Sequence, residues 1–339
     1  MLQKNSHPGF DDLTLLNVSP LFCGARKDIM VFDKSASEQL LKEGGLVITG
    51  FPGAEEVDGL GERMLEFFDL PKEEKDRLAI GPRNPANSHL YRGYIPNLQQ
   101  GVWAHNELFD IGPNAPFPGP EIKGVEMFSE NNIWPTEEPC AGWRQAMERY
   151  YEIMQHLSST LIFSLGRGFG YDDMAIDARF REGNHTLRLL NYPTPPEGHF
   201  LREEQTDGSR GRKSDRQSIP LSSDSHFDAS GLSLLWQRQA GLQAQSPDGV
   251  WRNVPMIKNS ISIHVGNALH GMTESKIPAT PHRVLDLKQH RQSIGFFLEP
   301  GLSAPIGAMH RKDSSHEGTY GWHLRERFNN HYNYDINDK

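Results

Sequence analysis

Two patterns of apolar residues divide the chain into a mixed N-terminal part and a strand-rich C-terminal part. From about Gly142 to Gly166, apolar residues recur every three or four positions, which predicts one long amphipathic helix with a buried face. From Thr186 onward, short apolar runs are separated by turn residues, a pattern typical of strands. The order of these elements predicts a mainly β fold, an antiparallel sandwich or barrel with helices as a support layer.

Shorter helices and a strand are predicted before the long helix. The stretch SASEQLLKEGG predicts a short helix that is capped near Ser35 or Ser37 and ends at Gly44, with a strand following at Leu46 to Phe51. The stretch EEVDGLGERMLEFFDLPKEEKDRLA predicts two helices that are separated at Pro71. The N-terminal region is therefore expected to mix helix and strand.

An irregular segment separates the two parts. Residues 112–139 contain six prolines and show no clear period, which predicts a surface connection without regular structure. We expect a mixed α/β region over residues 1–139 and a long helix plus β core over residues 140–339. The two are expected to form one continuous globular unit.

Four stretches of the C-terminal part predict individual strands. HTLRLLNYP and RQSIGFFLEP each predict one strand, and GLQAQSPDGVWRNVP predicts two strands around a turn at Pro247 to Gly249. SISIHVGN alternates apolar and polar residues, which is typical of a half-buried strand. Residues 197–225 are strongly polar and charged, so they form either a solvated loop or a lid that orders over a site.

Composition limits the classes of partner. The 339 residues are 36% hydrophobic and 23% charged, as in an ordinary soluble globular protein, and the formal net charge is −9. An acidic chain has no overall attraction to nucleic acid or to an anionic membrane surface, so we expect neither as a partner. The two cysteines, Cys23 and Cys140, cannot form a disulfide framework, and the N-terminus lacks an export signal. We expect a cytoplasmic protein; the oligomeric state stays open.

The triplet His226-Phe227-Asp228 raises the first question about chemistry. By itself it is weak evidence in a chain with fifteen histidines, and a surface turn explains it as well. In a strand, however, residues i and i+2 share a face, so His226 and Asp228 would present a nitrogen and an oxygen side by side, with Phe227 on the other face. An iron(II) ion that activates oxygen is bound by two imidazoles and one carboxylate, with open positions beside them.

A second histidine is needed, and four are candidates downstream. His264 lies on the polar side of its strand, where a ligand, a supporting and a solvent-facing role are all open. His270 is expected on a surface turn, and His290 is the last candidate. His282 begins a strand, and Arg291 and Ser293 stand on one face of the next strand. An arginine beside a hydroxyl is a good receptor for a carboxylate.

These motifs occur in an order that is similar to one enzyme family. HFD, TPHRV and RQSIGFFLEP, with GLQAQSPDGVWRNVP between them, resemble the iron(II)/2-oxoglutarate-dependent oxygenases of the isopenicillin N synthase-like branch. The likeness extends from LRLLNYP to FFLEP and more loosely to GGLVITGF, FFDLPKEEK, YRGYIP and NELFDIG upstream. The resemblance implies a double-stranded β-helix, or jelly roll, with the site in its mouth.

The resemblance also implies roles for individual residues. His226, Asp228 and His282 match the iron ligands, and Arg291 and Ser293 match the pair that binds the distal carboxylate of 2-oxoglutarate. Tyr192 matches a tyrosine that contacts cosubstrate or substrate, and the alternative is a buried sheet tyrosine. Tyr91, Tyr94 and Phe297 are candidate substrate contacts, and the alternative for each is an ordinary packing residue.

The implied reaction is oxidation of a small organic metabolite, by hydroxylation, desaturation or rearrangement. Iron(II) is the implied metal, 2-oxoglutarate and O2 the cosubstrates, and ascorbate a reductant. Two alternatives stay open: an oxidase that uses no 2-oxoglutarate, like isopenicillin N synthase, and a non-catalytic jelly-roll binding protein. The iron centre itself is the catalytic group, and specialised metabolism is the expected setting.

Three positions depart from the family pattern. Asn267 stands where the family commonly has an aspartate, and Leu190 stands where many plant members have an asparagine. Ala229 stands where thymine hydroxylases carry an aromatic residue, so a pyrimidine substrate is disfavoured and a bulkier molecule is favoured.

Overall fold

The computed structural model describes residues 10–96, 106–194, 220–309 and 318–332. These parts contain the helices α1 (Pro20–Cys23), α2 (Arg26–Glu43), α3 (Val57–Leu65), α4 (Lys72–Arg77), α5 (Trp143–Gly168), α6 (Asp173–Phe180), α7 (Asn267–Met272) and α8 (Tyr320–Tyr332). Two 3-10 turns lie at Glu66–Asp69 and Glu126–Ser129. None of the helices in the described parts is long and apolar enough to cross a membrane.

Strands are more numerous than helices and are mostly short. They are β1 (Leu15–Asn17), β2 (Leu46–Thr49), β3 (Gly93–Ile95), β4 (Glu107–Ile111), β5 (Thr186–Tyr192), β6 (Leu221–His226), β7 (Leu232–Gln237), β8 (Leu242–Gln245), β9 (Trp251–Asn253), β10 (Ile261–Val265), β11 (His282–Leu285) and β12 (Arg291–Leu298). The strands predicted from Thr186 onward are therefore present, and Gly249 closes the predicted turn between β8 and β9 with φ of 86°.

The described strands form two sheets. The larger has the order β1-β2-β10-β7-β12-β5-β4-β3, and the smaller has the order β6-β11-β8-β9. Apart from the parallel pair β1 and β2, the strand pairs are antiparallel. Side chains of both sheets line one cavity. This strand-rich architecture with supporting helices is the predicted jelly roll.

Strands from the N-terminal region extend the larger sheet at both ends. β1 and β2 join it beside β10, while β3 and β4 join it beside β5. Main-chain hydrogen bonds thus tie residues before 139 to the core strands. The division into residues 1–139 and 140–339 stays a prediction.

The long helix α5 lies where its apolar period predicts it. The residues of the apolar stripe are each at most 1% exposed, and they are Trp143, Met147, Tyr150, Met154, Leu157 and Leu161. The indole Nε1 of Trp143 donates to the Met64 carbonyl at 2.9 Å, which fixes α5 against α3. The helix is therefore a core element that supports the larger sheet.

The helix before β2 is longer than predicted. α2 begins at Arg26, so Ser35 and Ser37 lie inside it and the expected cap there is wrong. Ser37 fits the interior because its hydroxyl donates to the Asp33 carbonyl at 2.8 Å within the same helix. The end is as predicted: Gly44 has φ of 80°, a left-handed conformation that terminates helices.

Two further predictions differ from the structure in burial or placement. β10 is predicted to be half-buried, but all five of its residues are buried. On its polar face, the ring of His264 lies 4.9 Å from that of His282 on the smaller sheet. The polar stretch at 197–225 is in part strand, since β6 begins at Leu221; residues 195–219 lie outside the described residues. The proline-rich segment 112–139 is irregular, as predicted, except for its 3-10 turn.

Candidate metal centre and cavity

Two histidines face each other across a strand pair. β6 ends at His226 and β11 begins at His282, and the two residues are paired in register. Their ring centroids are 4.3 Å apart. Because paired residues of neighbouring antiparallel strands project to the same face, two imidazoles from distant parts of the chain meet at one point.

Asp228 completes the cluster from the turn that follows β6. It lies beyond the end of the strand, so the turn, and not the i and i+2 geometry of a strand, brings it beside His226. Asp228 Oδ1 is 3.9 Å from Nε2 of His226, and its Oδ2 is 3.5 Å from Nε2 of His282. The buried hydroxyl of Ser233 donates to Oδ2 at 2.5 Å, and the Asn267 backbone N–H donates to the Asp228 carbonyl at 2.8 Å. The turn is therefore fixed from two sides.

Backbone contacts set the orientation of both imidazoles. Nδ1 of His226 is 2.8 Å from the Asp224 carbonyl, and Nδ1 of His282 is 3.2 Å from the Thr280 carbonyl. A carbonyl only accepts, so in each ring Nδ1 carries a proton and donates, which leaves Nε2 as the nitrogen that can offer a lone pair. Both lone pairs are thereby available beside the Asp228 carboxylate.

The protonation states suit a metal. Burial lowers the pKa of His282 and keeps its ring neutral. Burial opposes ionisation of Asp228, but His282, His226 and the Ser233 hydroxyl outweigh it and lower the pKa of that carboxyl. The potential ligand atoms of these three residues all lie within 4.8 Å of one another. Two neutral imidazoles and one carboxylate are the donor set of non-haem iron(II) oxygenases, and the residues present fit that ion.

A second polar group lies on β12 in the same cavity. Arg291 is 4% exposed, and its guanidinium donates to Ser293 Oγ at 3.1 Å and to Gln237 Oε1 at 3.4 Å. The guanidinium lies 5.2 Å from the ring centre of Tyr192, its register partner on β5. No carboxylate among the described residues forms an ion pair with Arg291, and burial lowers the pKa of its guanidinium. A buried cation without a counter-ion is a strong candidate for binding an anionic ligand.

Both groups line one cavity of about 350 Å³. The three clustered residues, Arg291, Ser293 and Tyr192 all contribute to its wall. Phe227 also lines it and is 43% exposed, so the expectation that Phe227 packs away from the site is wrong. Ala229 lines the cavity as well.

The three candidate substrate contacts fall in two different places. Tyr91 and Phe297 line the cavity. Tyr94 is buried in the hydrophobic core, where its ring lies 6.0 Å from that of Phe67 and its hydroxyl donates to Glu107. The structure thus brings Tyr91 and Phe297 to the site and places Tyr94 away from it.

The other histidines take different positions. His264 is 1% exposed, so a solvent-facing role is wrong. Its ring lies 4.9 Å from that of His282. Neither of its nitrogens has a hydrogen-bond partner among the described residues. His270 lies on the short helix α7 rather than on a turn, with Nδ1 3.0 Å from the Ile277 carbonyl. His290 contacts the Asn191 side chain at 2.5 Å.

Several residues at the site were not predicted. Ser233 and Gln237 hold the two polar groups, and Arg188 and Asp110 form an ion pair on the cavity wall. Arg188 could have been found from sequence, because it lies four positions before Tyr192 and shares its face of β5. The helix α8 contributes Leu324, Arg327 and Phe328, for which no comparable signal exists.

Comparisons with known proteins agree with this geometry. A family model described as the 2OG-Fe(II) oxygenase superfamily matches residues 185–300. Isopenicillin N synthase of Streptomyces clavuligerus is 30% identical over 257 residues, which cover 74% of this chain and 74% of that protein. The 2-oxoglutarate-dependent dioxygenase citB of Monascus ruber is 28% identical over 286 residues, or 80% of each chain.

Solved structures support the fold. Full-length T7H of Neurospora crassa, in complex with alpha-KG, superposes with a TM-score of 0.73 at 21% identity, covering 98% of this chain and 100% of that one. At this identity the likeness concerns the fold alone. The family model and the relative that is 30% identical show that the chain belongs to the 2OG-Fe(II) oxygenase superfamily.

Proposed function

We propose that this enzyme is a 2-oxoglutarate-dependent dioxygenase that oxidises a small organic molecule, with iron(II) held by His226, Asp228 and His282. When bound, iron(II) supplies the activation of O2 that couples decarboxylation of the keto acid, to succinate and CO2, to oxidation of a substrate C–H bond. The protein's own residues bind and orient the reactants around this centre.

The observation that carries the proposal is the buried cation at Arg291 on the wall of the cavity that also contains the metal cluster. A guanidinium beside a hydroxyl matches a carboxylate in geometry and charge. We assign Arg291 and Ser293 to the distal carboxylate of 2-oxoglutarate, and Tyr192 to the same cosubstrate as the ring that closes over the guanidinium. The keto-acid end of the molecule would then face the histidines.

The cavity favours a small substrate. A volume of about 350 Å³ falls at the lower end of the range of small-molecule sites. We place Tyr91 and Phe297 at the substrate; Tyr94 keeps only the packing role that its core position supports. Ala229 beside Asp228 leaves space for a body bulkier than a pyrimidine, and walls of this kind exclude water while the substrate is oxidised.

Turnover with and without the keto acid tests the function. Purified protein receives iron(II) and ascorbate, and succinate and O2 uptake are measured with and without 2-oxoglutarate. We expect succinate from 2-oxoglutarate, and none from the variant H226A, whose metal content also falls. O2 uptake without 2-oxoglutarate would instead favour an oxidase like the relative isopenicillin N synthase, and the absence of both activities in iron-loaded protein would favour a non-catalytic binding protein.

We further propose a cytoplasmic enzyme of specialised metabolism that has no nucleic acid or membrane as partner. The support is the net charge of −9, which disfavours binding to polyanionic surfaces. Retention on heparin or on anionic vesicles at physiological salt would contradict the proposal about partners.

A further inference from the structure

The cavity wall contains more positive charge than the cosubstrate requires. The lining guanidiniums are those of Arg83, Arg188, Arg291 and Arg327, and the lining carboxylates are those of Asp110, Asp228 and Glu299. Arg291 and Asp228 belong to the cosubstrate and metal positions described above. The other five residues surround the space that is left for the substrate.

Asp110 is already neutralised by Arg188. The two residues are paired in register on β4 and β5, and the guanidinium binds the carboxylate through two hydrogen bonds of 2.8 and 2.7 Å. The Asp110 side chain is 2% exposed and that of Arg188 is 30% exposed. The arginine therefore covers its carboxylate and presents its own accessible surface to the cavity, 5.6 Å from the ring centre of Phe297.

Glu299 is only partly ionised near neutral pH. Its carboxylate receives hydrogen bonds from Thr186 and Tyr320, each at 3.3 Å. Burial raises the pKa of Glu299 to about 7, against the opposing effect of Arg92. The substrate half of the cavity is consequently positive.

Arg327 lines the substrate half of the cavity from helix α8. Leu324, Arg327 and Phe328 are spaced three and four apart on α8, so one face of that helix presents two apolar side chains and one guanidinium to the cavity. Arg327 is exposed and forms no ion pair or hydrogen bond with any part of the chain that the structure describes. Its guanidinium is therefore accessible to a ligand in the cavity that Arg327 lines.

Aromatic rings lie beside this cation. The ring of Phe328 is 6.1 Å from that of Tyr91, which in turn is 4.7 Å from Phe128. Phe297 also lines the cavity, with its ring beside the guanidinium of Arg188. The substrate half therefore combines aromatic surface with guanidinium groups.

From this arrangement we propose that the substrate is a small carboxylate with an aromatic or similarly apolar body. The body packs on Tyr91, Phe297 and Phe328. Arg327 and Arg83 bind the anionic end. The inference rests on the proposed function, because it takes this cavity as the active site. It adds the chemical class of the substrate and the residue that selects it.

Matched acid and amide probes test the charge requirement. The probes are 3-phenylpropanoate and 4-phenylbutanoate, each paired with its primary amide, so that shape is kept and charge is removed. Binding is measured by calorimetry on protein loaded with Mn(II) and 2-oxoglutarate, which does not turn over. The variants are R327Q and, as a control on the same helix, E326Q, whose side chain is exposed and does not line the cavity.

We expect each acid to bind at least about tenfold more tightly than its amide in the parent protein and in E326Q, with the preference reduced to near one in R327Q. Added salt should weaken acid binding more than amide binding. Equal binding of acid and amide, absence of binding by all four probes, or a preference that survives in R327Q would each overturn the inference. The proposed function is assessed separately, from succinate formed out of 2-oxoglutarate by the iron(II) form, which needs no probe.

Discussion

The hydroxyl of Ser233 offers a direct test of how the candidate metal centre is held. Ser233 is fully buried on β7, and its Oγ donates to Asp228 Oδ2 at 2.5 Å and lies 3.1 Å from Oγ of Ser230. The substitution Ser233→Ala removes this one donor and changes neither the ligands nor the size of the core appreciably. Asp228 then lies in a turn with one fewer constraint on its carboxylate.

The magnitude follows from the charge on the acceptor. A hydrogen bond to a charged group contributes about 1.5–3 kcal/mol, and loss of a supporting partner of a metal ligand costs about 10- to 100-fold in metal affinity. At about 1.4 kcal/mol per tenfold change, the two figures agree. We therefore expect the dissociation constant for Co(II) or Mn(II) to rise about 10- to 100-fold in S233A.

The assay is calorimetric titration of metal into metal-free protein, with thermal unfolding as a check on the fold. The matched control is S262A, which also loses a buried hydroxyl, one that donates to the Leu235 carbonyl at 3.2 Å and not to a candidate ligand. S262A should bind metal as the parent does. Unchanged affinity in a folded S233A, or an equal loss in S262A, would refute the idea that Ser233 orients the carboxylate.

Three further predictions concern the cosubstrate, pH and backbone. R291Q should raise the KM for 2-oxoglutarate about 100-fold, because a bidentate charge-assisted partner is lost, whereas the surface variant R149Q should not change it. Because the pKa of Glu299 rises from 4.5 to about 7, the folded protein retains a proton that the unfolded chain releases, and stability should fall as pH rises from about 5 to 8. Urea unfolding should show this fall, on the order of 1–3 kcal/mol, in the parent protein and a smaller one in E299Q. G44A should destabilise by about 1–3 kcal/mol, since φ is 80° and a Cβ would lie 2.2 Å from the Gln245 carbonyl oxygen, whereas G59A, with open space, should not destabilise.

Much of the fold and the order of the site were accessible from local patterns. The period of α5, the turn at Gly249 and the strands β5, β8, β9, β10 and β12 depend on neighbouring residues, so the sequence is sufficient to predict them. The spacing of Arg291 and Ser293 is likewise local, because both lie on one strand. The structure also brings His226, Asp228 and His282 together, although their role as ligands stays a prediction.

Three of the features that escaped prediction depend on contacts between distant segments. The burial of His264 results from its position between two sheets, which the alternation of β10 cannot reveal. The pairing of Arg188 with Asp110 requires the register of β4 on β5, and the position of Arg327 requires the docking of α8 on the cavity. Local pattern predicts which face of an element is polar, but not what covers that face.

The register of β5 on β12 explains how one wall can serve two small molecules. Tyr192 is paired with Arg291 at one end of the wall, while Arg188 is paired with Gly295 and Thr186 with Phe297 toward the other. At about 3.3 Å per residue, the four-residue step from Tyr192 to Arg188 separates these two backbone positions by about 13 Å. A Cβ at Gly295 would lie 3.0 Å from the ring of Phe297, so the missing side chain makes room for that ring. A carboxylate bound at Arg291 and an apolar body packed against Phe297 can therefore lie end to end along this wall, in the cavity that His226 and His282 of the smaller sheet also line.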